Sequence, residues 1–222
     1  GSVILAGTFA EDLGEVEVQT LGEVDDDGQG LLFVLDAELT EVTEAYRVAE
    51  SVHELSRDAE GSIYVAAGES GIIKLDSELE PVWAVDQNPV HRVDAAGDWV
   101  LVLEQAAEGG SGSVIRLHQS ESGGRQTEIT GDANVSDVCV HAESETFLAT
   151  GWKVARDGSR RFGIAYIRAY DRNRFPKWTA YDWSVEDSGE GFINAPGEND
   201  AGTRAQRCTI GPDGKLYVAF EV

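Results

Sequence analysis

Several things are missing from this sequence, and each absence narrows what the chain can be. Methionine is absent from its 222 residues, so no start codon is represented, and we expect a mature, processed or excised piece of a longer polypeptide. No stretch of about 18 apolar residues occurs, which predicts no membrane insertion. The two cysteines, Cys139 and Cys208, are too few for a disulfide framework and lack the spacing of metal ligands.

Positive charge is also scarce. Only 17 lysines and arginines stand against 41 aspartates and glutamates, which gives a formal net charge of −24 at pH 7. A field of this sign repels the phosphates of nucleic acids and of anionic membranes. We therefore expect no nucleic-acid partner, whereas cations and basic partners are favoured.

The abundant residues indicate an all-β protein. Apolar residues make up 41% of the chain, an ordinary globular share, and 25 glycines favour many tight turns. Strand-forming Val, Ile, Thr and aromatic residues are frequent, and no long stretch has the periodicity of a helix. The segment VHELSRDAEGSIYVAA at 52–67 combines an apolar run, a turn and a second apolar run.

This segment recurs along the chain. Related sequences lie at 90–103, 135–150 and 205–220, and GSVILAG at 1–7 matches its second half. A second type of repeat lies between these segments, and its best match is LDAEL at 35–39 with LDSEL at 75–79. Together the two types predict four strands per repeat. In the clearest repeat the strands are 52–56, 62–67, 72–76 and 81–85.

Four short antiparallel strands repeated about every 40–45 residues are typical of a β-propeller blade. A β-sandwich or a stack of meanders is the alternative, but neither requires self-similarity. We predict one β-propeller domain over 1–222 with about five blade units of four-stranded antiparallel sheet. The repeats run approximately over 1–60, 61–97, 98–144 and 145–214, with a partial repeat at 215–222.

The repeat count predicts an incomplete ring. Five second strands occur but only four full repeats, so the N-terminal blade lacks its innermost strand and the C-terminal blade lacks its outer pair. We expect the chain to be part of a longer or incomplete propeller, with a missing segment of the same polypeptide as one possible partner.

Three segments resemble a known group of proteins. DGKLYVAFE (213–221), GSIYVAAG (61–68) and IIKLDSELEPVWAV (72–85) resemble the repeats of secreted bacterial β-propeller proteins, which include NHL-like and quinoprotein-like groups. The resemblance implies a propeller fold and an extracellular or cell-surface location. It implies no substrate, and the sequence carries no quinone-cofactor signature to transfer.

Equivalent positions near the start of the first strand of each repeat are polar. Because the innermost strands of a propeller line its central channel, these residues are expected to converge as a mixed-charge ligand site at the channel mouth. The alternative is an ordinary polar channel filled with water. The predicted site residues are His53, Glu54, His91, Arg92, Ser136, Asp137, Gln206 and Arg207.

The same residues do not form a catalytic set in the sequence. His53 with Glu54, and Ser136 with Asp137, are the types of a catalytic triad, but neighbours in a strand point to opposite faces. We therefore assign no catalytic residue. We predict an extracellular, acidic binding or structural module with a protein or carbohydrate surface as partner. The alternative is a lyase or glycoside hydrolase acting at the channel mouth.

Three further features produce specific expectations. Asp25, Asp27, Gln29 and Asp36 approximate the spacing of a calcium loop, with a solvated acidic turn as the alternative. Trp183 and Phe192 border a long acidic segment and are candidates for contact with a sugar or a protein, although aromatics in this region are first expected to pack between blades. Cys139 and Cys208 align one position apart in adjacent repeats, which predicts free, buried thiols.

Overall fold

The computed structural model describes residues 3–9, 17–21, 28–86, 89–105, 113–130, 134–157, 160–173, 175–181 and 204–221. These residues form 18 strands and one 3-10 helix, Ala142–Ser144. Within them, no helix is long and apolar enough to cross a membrane. The chain is therefore an all-β protein, as the sequence predicts.

The strands form five sheets in chain order. Sheet 1 contains β1 (Val3–Thr8), β2 (Val18–Thr20), β3 (Gly30–Leu35) and β4 (Val42–Ala49). Sheet 2 contains β5 (Glu54–Arg57), β6 (Ile63–Ala66), β7 (Ile72–Leu75) and β8 (Pro81–Val85). Sheet 3 contains β9 (Val90–Ala96), β10 (Trp99–Gln105), β11 (Ser113–Gln119) and β12 (Arg125–Thr130). Sheet 4 contains β13 (Asn134–His141), β14 (Thr146–Asp157), β15 (Arg160–Tyr170) and β16 (Pro176–Tyr181). Sheet 5 contains β17 (Arg204–Ile210) and β18 (Leu216–Glu221).

Sheets 2, 3 and 4 are four-stranded antiparallel meanders, which confirms the predicted blade. The four strands predicted in the clearest repeat coincide with β5 to β8 within two residues. Sheet 1 differs, because its order is β1-β3-β4-β2 and β2 pairs with β4 in parallel. The sequence does not predict β2, which has only three residues.

The core lies between successive sheets, as stacked blades require. In β6 all four residues are buried, because Ile63 and Val65 pack toward sheet 1 while Tyr64 and Ala66 pack toward sheet 3. Alternate residues of a strand face opposite sides of the sheet, so a strand covered on both sides reads as a continuous apolar run. The apolar residues of the segment 52–67 pack in this core: Val52, Ile63 and Val65 are buried, and Leu55 is partly buried against them.

The first strand of the chain occupies the position of a second strand. Val52 donates its N–H to Thr8 Oγ1 at 3.0 Å, and Val90 donates to the Gly68 carbonyl at 3.0 Å in the next repeat. The positions in these two contacts correspond, although Thr8 accepts through its side-chain hydroxyl and Gly68 through its backbone carbonyl. β1 therefore corresponds to β6, as the match of GSVILAG to GSIYVAA predicts.

The matched LDAEL and LDSEL sequences form the same turn. Asp36 Oδ1 accepts from Thr40 N at 2.7 Å, and Asp76 Oδ1 accepts from Glu80 N at 2.9 Å. Leu39 and Leu79 have φ values of 58° and 68°, a left-handed conformation that is uncommon outside glycine. An aspartate that satisfies backbone donors holds each turn in this shape.

The prediction of free cysteines was wrong. Cys139 and Cys208 form a disulfide between β13 and β17, with their Cα atoms 6.1 Å apart. The repeat alignment itself holds, because Val138 and Cys208 occupy equivalent register positions. Residues one position apart point to opposite faces of their own sheets. In stacked sheets, however, it is the opposite faces that meet, so the two thiols face each other.

Candidate functional site

Sheets 2 to 5 each begin with an inner strand, and these strands, β5, β9, β13 and β17, lie side by side. Three of them contain an irregularity at the same point. The register of strand pairing shifts by one residue at His91, Ser136 and Gln206, which are therefore the bulged residues. A bulge bends the strand and re-aims its side chain, and bulges are common beside binding sites. In sheet 4 the strand opposite the bulge carries Gly151, where a Cβ would lie 2.0 Å from the Asn134 carbonyl oxygen.

Two of these bulged residues, His91 and Ser136, line a pocket of about 380 Å³, which we call the mouth pocket. The rings of His53 and His91 lie on one side, with their centroids 4.7 Å apart. Arg92 and Ser136 continue the lining. The remaining lining residues belong to β10 and β11 of sheet 3 and to β13 of sheet 4: Leu103, Glu104, Ser113 and Val135.

The acidic members of the predicted set hold neighbouring inner strands together. Glu54 Oε2 accepts the N–H of Val93 at 3.0 Å, across the boundary between sheets 2 and 3. Asp137 Oδ2 accepts the N–H of Cys208 at 2.8 Å, across the boundary between sheets 4 and 5. Each carboxylate satisfies a donor on the free edge of the next inner strand, which would otherwise lack a partner there.

Two arginines share the remaining carboxylate oxygens. Arg207 Nη1 contacts Glu54 Oε1 and lies 3.8 Å from Asp137 Oδ1. Arg92 Nε lies 3.9 Å from the same Asp137 oxygen, and Arg92 Nη1 donates to the carbonyl of His91 at 2.9 Å. The equivalent positions in sheets 2 to 5 thus alternate in sign: Glu54, Arg92, Asp137, Arg207.

One wall of the mouth pocket contains a buried ion pair that sequence reasoning missed. Glu104 is 1% exposed, and its Oε1 lies 2.8 Å from Arg116 Nη1. Arg116 Nε in turn donates to Glu128 at 3.2 Å. Glu104 ends the apolar run of β10, and Arg116 lies between Ile115 and Leu117 in β11. A charged residue within such a strand was the available signal.

Gln206 stands apart from the mouth pocket. It does not line the cavity, and its Nε2 donates to the carboxylate of Glu221 in β18. The structure therefore brings His53, His91, Arg92 and Ser136 together around the pocket. It places Glu54, Asp137 and Arg207 behind them as an ionic cluster. A ligand role for any of these residues stays a prediction.

Burial perturbs the titratable groups of this cluster. Burial raises the pKa of Asp137 from 3.8 to about 6, with a further rise from Glu54, against the lowering effects of the Cys208 N–H and Arg207. The pKa of His53 is lowered, first by burial and then by His91 and Arg92. Asp137 thus titrates closer to neutrality than an exposed aspartate, and His53 favours its neutral form.

A second polar position of the inner strands was also missed. Two residues further along, Ser56 Oγ accepts the N–H of Ala95 at 3.0 Å, and Asp94 Oδ2 accepts the N–H of Val140 at 2.7 Å. Burial raises the pKa of Asp94. Asp94 and Arg57 line a second pocket of about 370 Å³ near the opposite ends of these strands, together with His141.

The predicted calcium-loop and aromatic-contact residues are only partly described by the structure. Asp25, Asp27, Trp183 and Phe192 lie outside the described residues. Gln29 is exposed, and both carboxylate oxygens of Asp36 accept hydrogen bonds from Thr40. In the part of the chain that the structure describes, no group of three or more His, Cys, Asp or Glu residues is placed to hold a metal ion.

Neither a protein-family model nor a curated protein matches this chain. Solved structures do match it. BamB from Moraxella catarrhalis is 17% identical with a TM-score of 0.50 and covers 79% of this chain and 51% of its own. The Mitotic Checkpoint Complex contains a chain that is 11% identical with a TM-score of 0.57, covering 85% and 54%.

The Cps50 (Swd1) β-propeller domain of Myceliophteria thermophila is 11% identical with a TM-score of 0.54, covering 85% of this chain and 57% of its own. The chain spans about half the length of these three solved structures. At such identities the likeness concerns the fold alone. With the stacked four-stranded sheets, it confirms the predicted resemblance to β-propeller proteins at the level of the architecture.

Proposed function

We propose that this chain is a non-enzymatic interaction module that binds a partner protein at the mouth pocket. One observation carries the proposal: the same bulge recurs in three consecutive inner strands and gathers His91, Ser136 and their neighbours at one end of the strands. Bulges re-aim side chains and are over-represented beside functional sites, which supports a binding role for the residues gathered here.

Binding is favoured over catalysis by how the carboxylates are used. A triad needs a carboxylate that orients a histidine. Glu54 and Asp137 instead accept backbone N–H groups of the next sheet and pair with Arg207. A lyase or glycoside hydrolase acting at the same place stays the alternative prediction.

A protein partner is favoured over a carbohydrate by two considerations. One of the structural neighbours is part of an assembly, the Mitotic Checkpoint Complex, so a related propeller architecture occurs in a multiprotein complex. The aromatic residues predicted to contact a sugar, Trp183 and Phe192, lie outside the described residues and add no support.

An extracellular or cell-surface location is part of the proposal. Disulfides form and persist in oxidising compartments and are rare in reducing ones. The Cys139–Cys208 bond supports an oxidising location, and the acidic composition suits a soluble secreted protein.

Peptide-library selection on the immobilised full chain tests the proposed function. The counter-selection target is the variant H53A/H91A/S136A, and R57Q at the far ends of the inner strands is the matched control. We expect peptides that bind wild type and R57Q equally and lose at least about tenfold in affinity for the triple variant. Selection that enriches no peptide, or only peptides that bind the triple variant equally, would overturn the proposal.

Calcium binding at Asp25, Asp27, Gln29 and Asp36 is a further proposal for this module. It rests on the loop spacing, and Asp36 would have to exchange its hydrogen bonds with Thr40 for the ion. Because calcium would bind only the folded state, the Tm should be higher in millimolar calcium than in chelator. At a calcium concentration a hundredfold above Kd, the free energy of unfolding should increase by about 2.7 kcal/mol. Equal melting temperatures in calcium and in chelator would contradict the proposed calcium binding.

A further inference from the structure

The chemistry of the mouth pocket identifies the group that it takes. We infer that the pocket binds a carboxylate, presented by a peptide segment of the partner. This inference rests on the proposed function, because it names the chemical class of the ligand at the same site.

The acids around the pocket already have partners. Glu54 engages Arg207 with one oxygen and the N–H of Val93 with the other. Asp137 accepts the N–H of Cys208 at 2.8 Å. Glu104 is paired with Arg116 at 2.8 Å. A cationic ligand would therefore have to compete with built-in cations and buried amides for every carboxylate near the cavity.

The cation that lines the pocket is less well satisfied. Arg92 Nε is buried and has no hydrogen-bond partner, and its closest carboxylate oxygen, on Asp137, lies 3.9 Å away. That carboxyl has its pKa raised to about 6, so its charge is weaker near neutrality than that of an ordinary aspartate. The Arg92 side chain is 27% exposed, and a guanidinium forms strong charge-assisted hydrogen bonds with a carboxylate.

The rest of the lining supplies groups that can donate to the same ligand. His53 is exposed beside the cavity, and Ser136 lines it with His91. Neutral imidazoles and hydroxyls each have one donor. The cavity of about 380 Å³ has room for a terminal or acidic residue of a peptide but not for a folded segment.

The charge of the whole molecule limits which carboxylates can reach the pocket. At a net charge of −24 the protein repels polyanions at long range. A single carboxylate on an otherwise neutral or basic peptide is repelled much less and can still meet the local donors. The pocket is therefore expected to select a monoanionic group on an otherwise uncharged or basic segment.

Histidine NMR on the full chain tests the inference directly. The chain has four histidines, and two of them are internal controls: His118, buried in β11, and His141, beside the far pocket. Three forms of one neutral peptide are titrated: the free C-terminal acid, the C-terminal amide, and the amide with one internal glutamate. We expect saturable shifts of His53 and His91 with one or both acids, which tells a terminal from a side-chain carboxylate.

Equal shifts with the amide, shifts of all four histidines together, or equal shifts with chloride at the same concentration would overturn the inference; the last result would mean an adventitious anion only.

The same titration is then repeated on variants. R92Q should weaken binding of the acid peptide by at least about tenfold, and R92K should fall between R92Q and wild type, because it keeps the charge but loses the planar fork. R57Q should bind as wild type does, and R92Q binding as tightly as wild type would contradict the assignment.

The two proposals fail in different ways. If library selection yields peptides that require the mouth pocket but bind the amide and acid forms equally, the carboxylate inference is wrong and the interaction module stands. If selection yields no mouth-dependent peptide, the proposed function is wrong. In that second case acid peptides that still shift His53 and His91 would identify a small-molecule carboxylate site instead.

Discussion

The boundary between sheets 3 and 4 and the boundary between sheets 4 and 5 are built by different means. Among the described residues, the first has an apolar cluster of ten buried residues, including Phe147, which meets Trp99 edge-on with ring centroids 5.9 Å apart. The second has three buried residues, Cys139, Leu148 and Ala169, with Ile210 and others only partly buried. It adds the disulfide.

In the described residues, the two boundaries also differ in the number of strands that meet there. The described part of sheet 5 is a two-stranded hairpin, β17 with β18, whereas sheets 3 and 4 each have four strands. A two-stranded sheet has little apolar surface to bury and is marginal alone. A covalent bond between inner strands compensates for area that packing does not supply. Truncating a core side chain should therefore destabilise the sheet 3–4 boundary more, and reducing the disulfide should destabilise the sheet 4–5 boundary more.

Truncating the core of the sheet 3–4 boundary should have the largest effect. Phe147→Ala removes a side chain that is 1% exposed, and its loss should reduce the free energy of unfolding by about 3–5 kcal/mol. Leu216→Ala, in the half-buried sheet 4–5 boundary, is the matched control and should reduce it by about 1 kcal/mol. Chemical denaturation measures both. Equal losses would show that the two boundaries do not differ in packing.

Removing the disulfide should have the next largest effect, concentrated in sheet 5. The double variant C139S/C208S opens a loop with a sequence separation of 69 residues, and we expect a loss of about 2–4 kcal/mol. Hydrogen exchange should accelerate in β17 and β18 more than in β10 or β14. Uniform acceleration, or none, would argue that the hairpin is held by its hydrogen bonds alone.

The carboxylate that bridges sheets 4 and 5 should give a pH signature. Because the pKa of Asp137 is raised from 3.8 to about 6, its stabilising contribution is fully present below 3.8 and is lost as the pH rises through 6. Asp137→Asn keeps an acceptor for Cys208 N but cannot ionise. Relative to wild type, the variant should therefore gain about 3 kcal/mol between pH 3.5 and pH 7.5.

Urea titrations of wild type and Asp137→Asn at several pH values measure this difference, and the comparison cancels the other titrating groups. Asp94→Asn, at the sheet 3–4 boundary, should change in the same direction, because burial also raises the pKa of Asp94. A difference for Asp137→Asn that is independent of pH would show that the carboxyl has an ordinary pKa.

A single exposed hydrogen bond across the sheet 4–5 boundary should have the smallest effect. His141 Nε2 lies 3.1 Å from the carbonyl oxygen of Gly214, in the turn between β17 and β18. His141→Ala should cost about 1 kcal/mol and loosen the turn without affecting sheet 3. Amide exchange at Lys215 and Leu216 is the most direct measurement, and unchanged exchange there would remove this contact from the account of the boundary.

Much of the architecture could be predicted because it is a repeat. Equivalence of 52–67 with three other segments placed the inner strands and, with them, the positions of His53, His91 and Ser136. What could not be predicted was local geometry. The bulges at His91 and Ser136 do break the apolar alternation, because two consecutive polar residues stand between apolar ones at 90–93 and 135–138. That pattern does not say which of the two polar residues is the extra one, nor that both face one pocket.

The failed cysteine prediction has a similar cause. Alternation along a strand predicts which face of its own sheet a residue occupies. It does not predict which face of the next sheet packs against that residue. Cys139 and Cys208 differ by one position, and that offset is the condition for contact across a boundary rather than an obstacle to it. Glu104 and Arg116 were missed because they form a buried pair whose members lie 12 residues apart on different strands.

The offset between the two cysteines is also a design rule for cross-links. The positions equivalent to Cys139 and Cys208 at the preceding boundary are Asp94 and Val138, and at the boundary before it they are Ser56 and Val93. Paired cysteines introduced there would extend one staple into a chain of three along the inner strands. The register of the native disulfide therefore identifies where a cysteine pair could be introduced at each of the two preceding sheet boundaries.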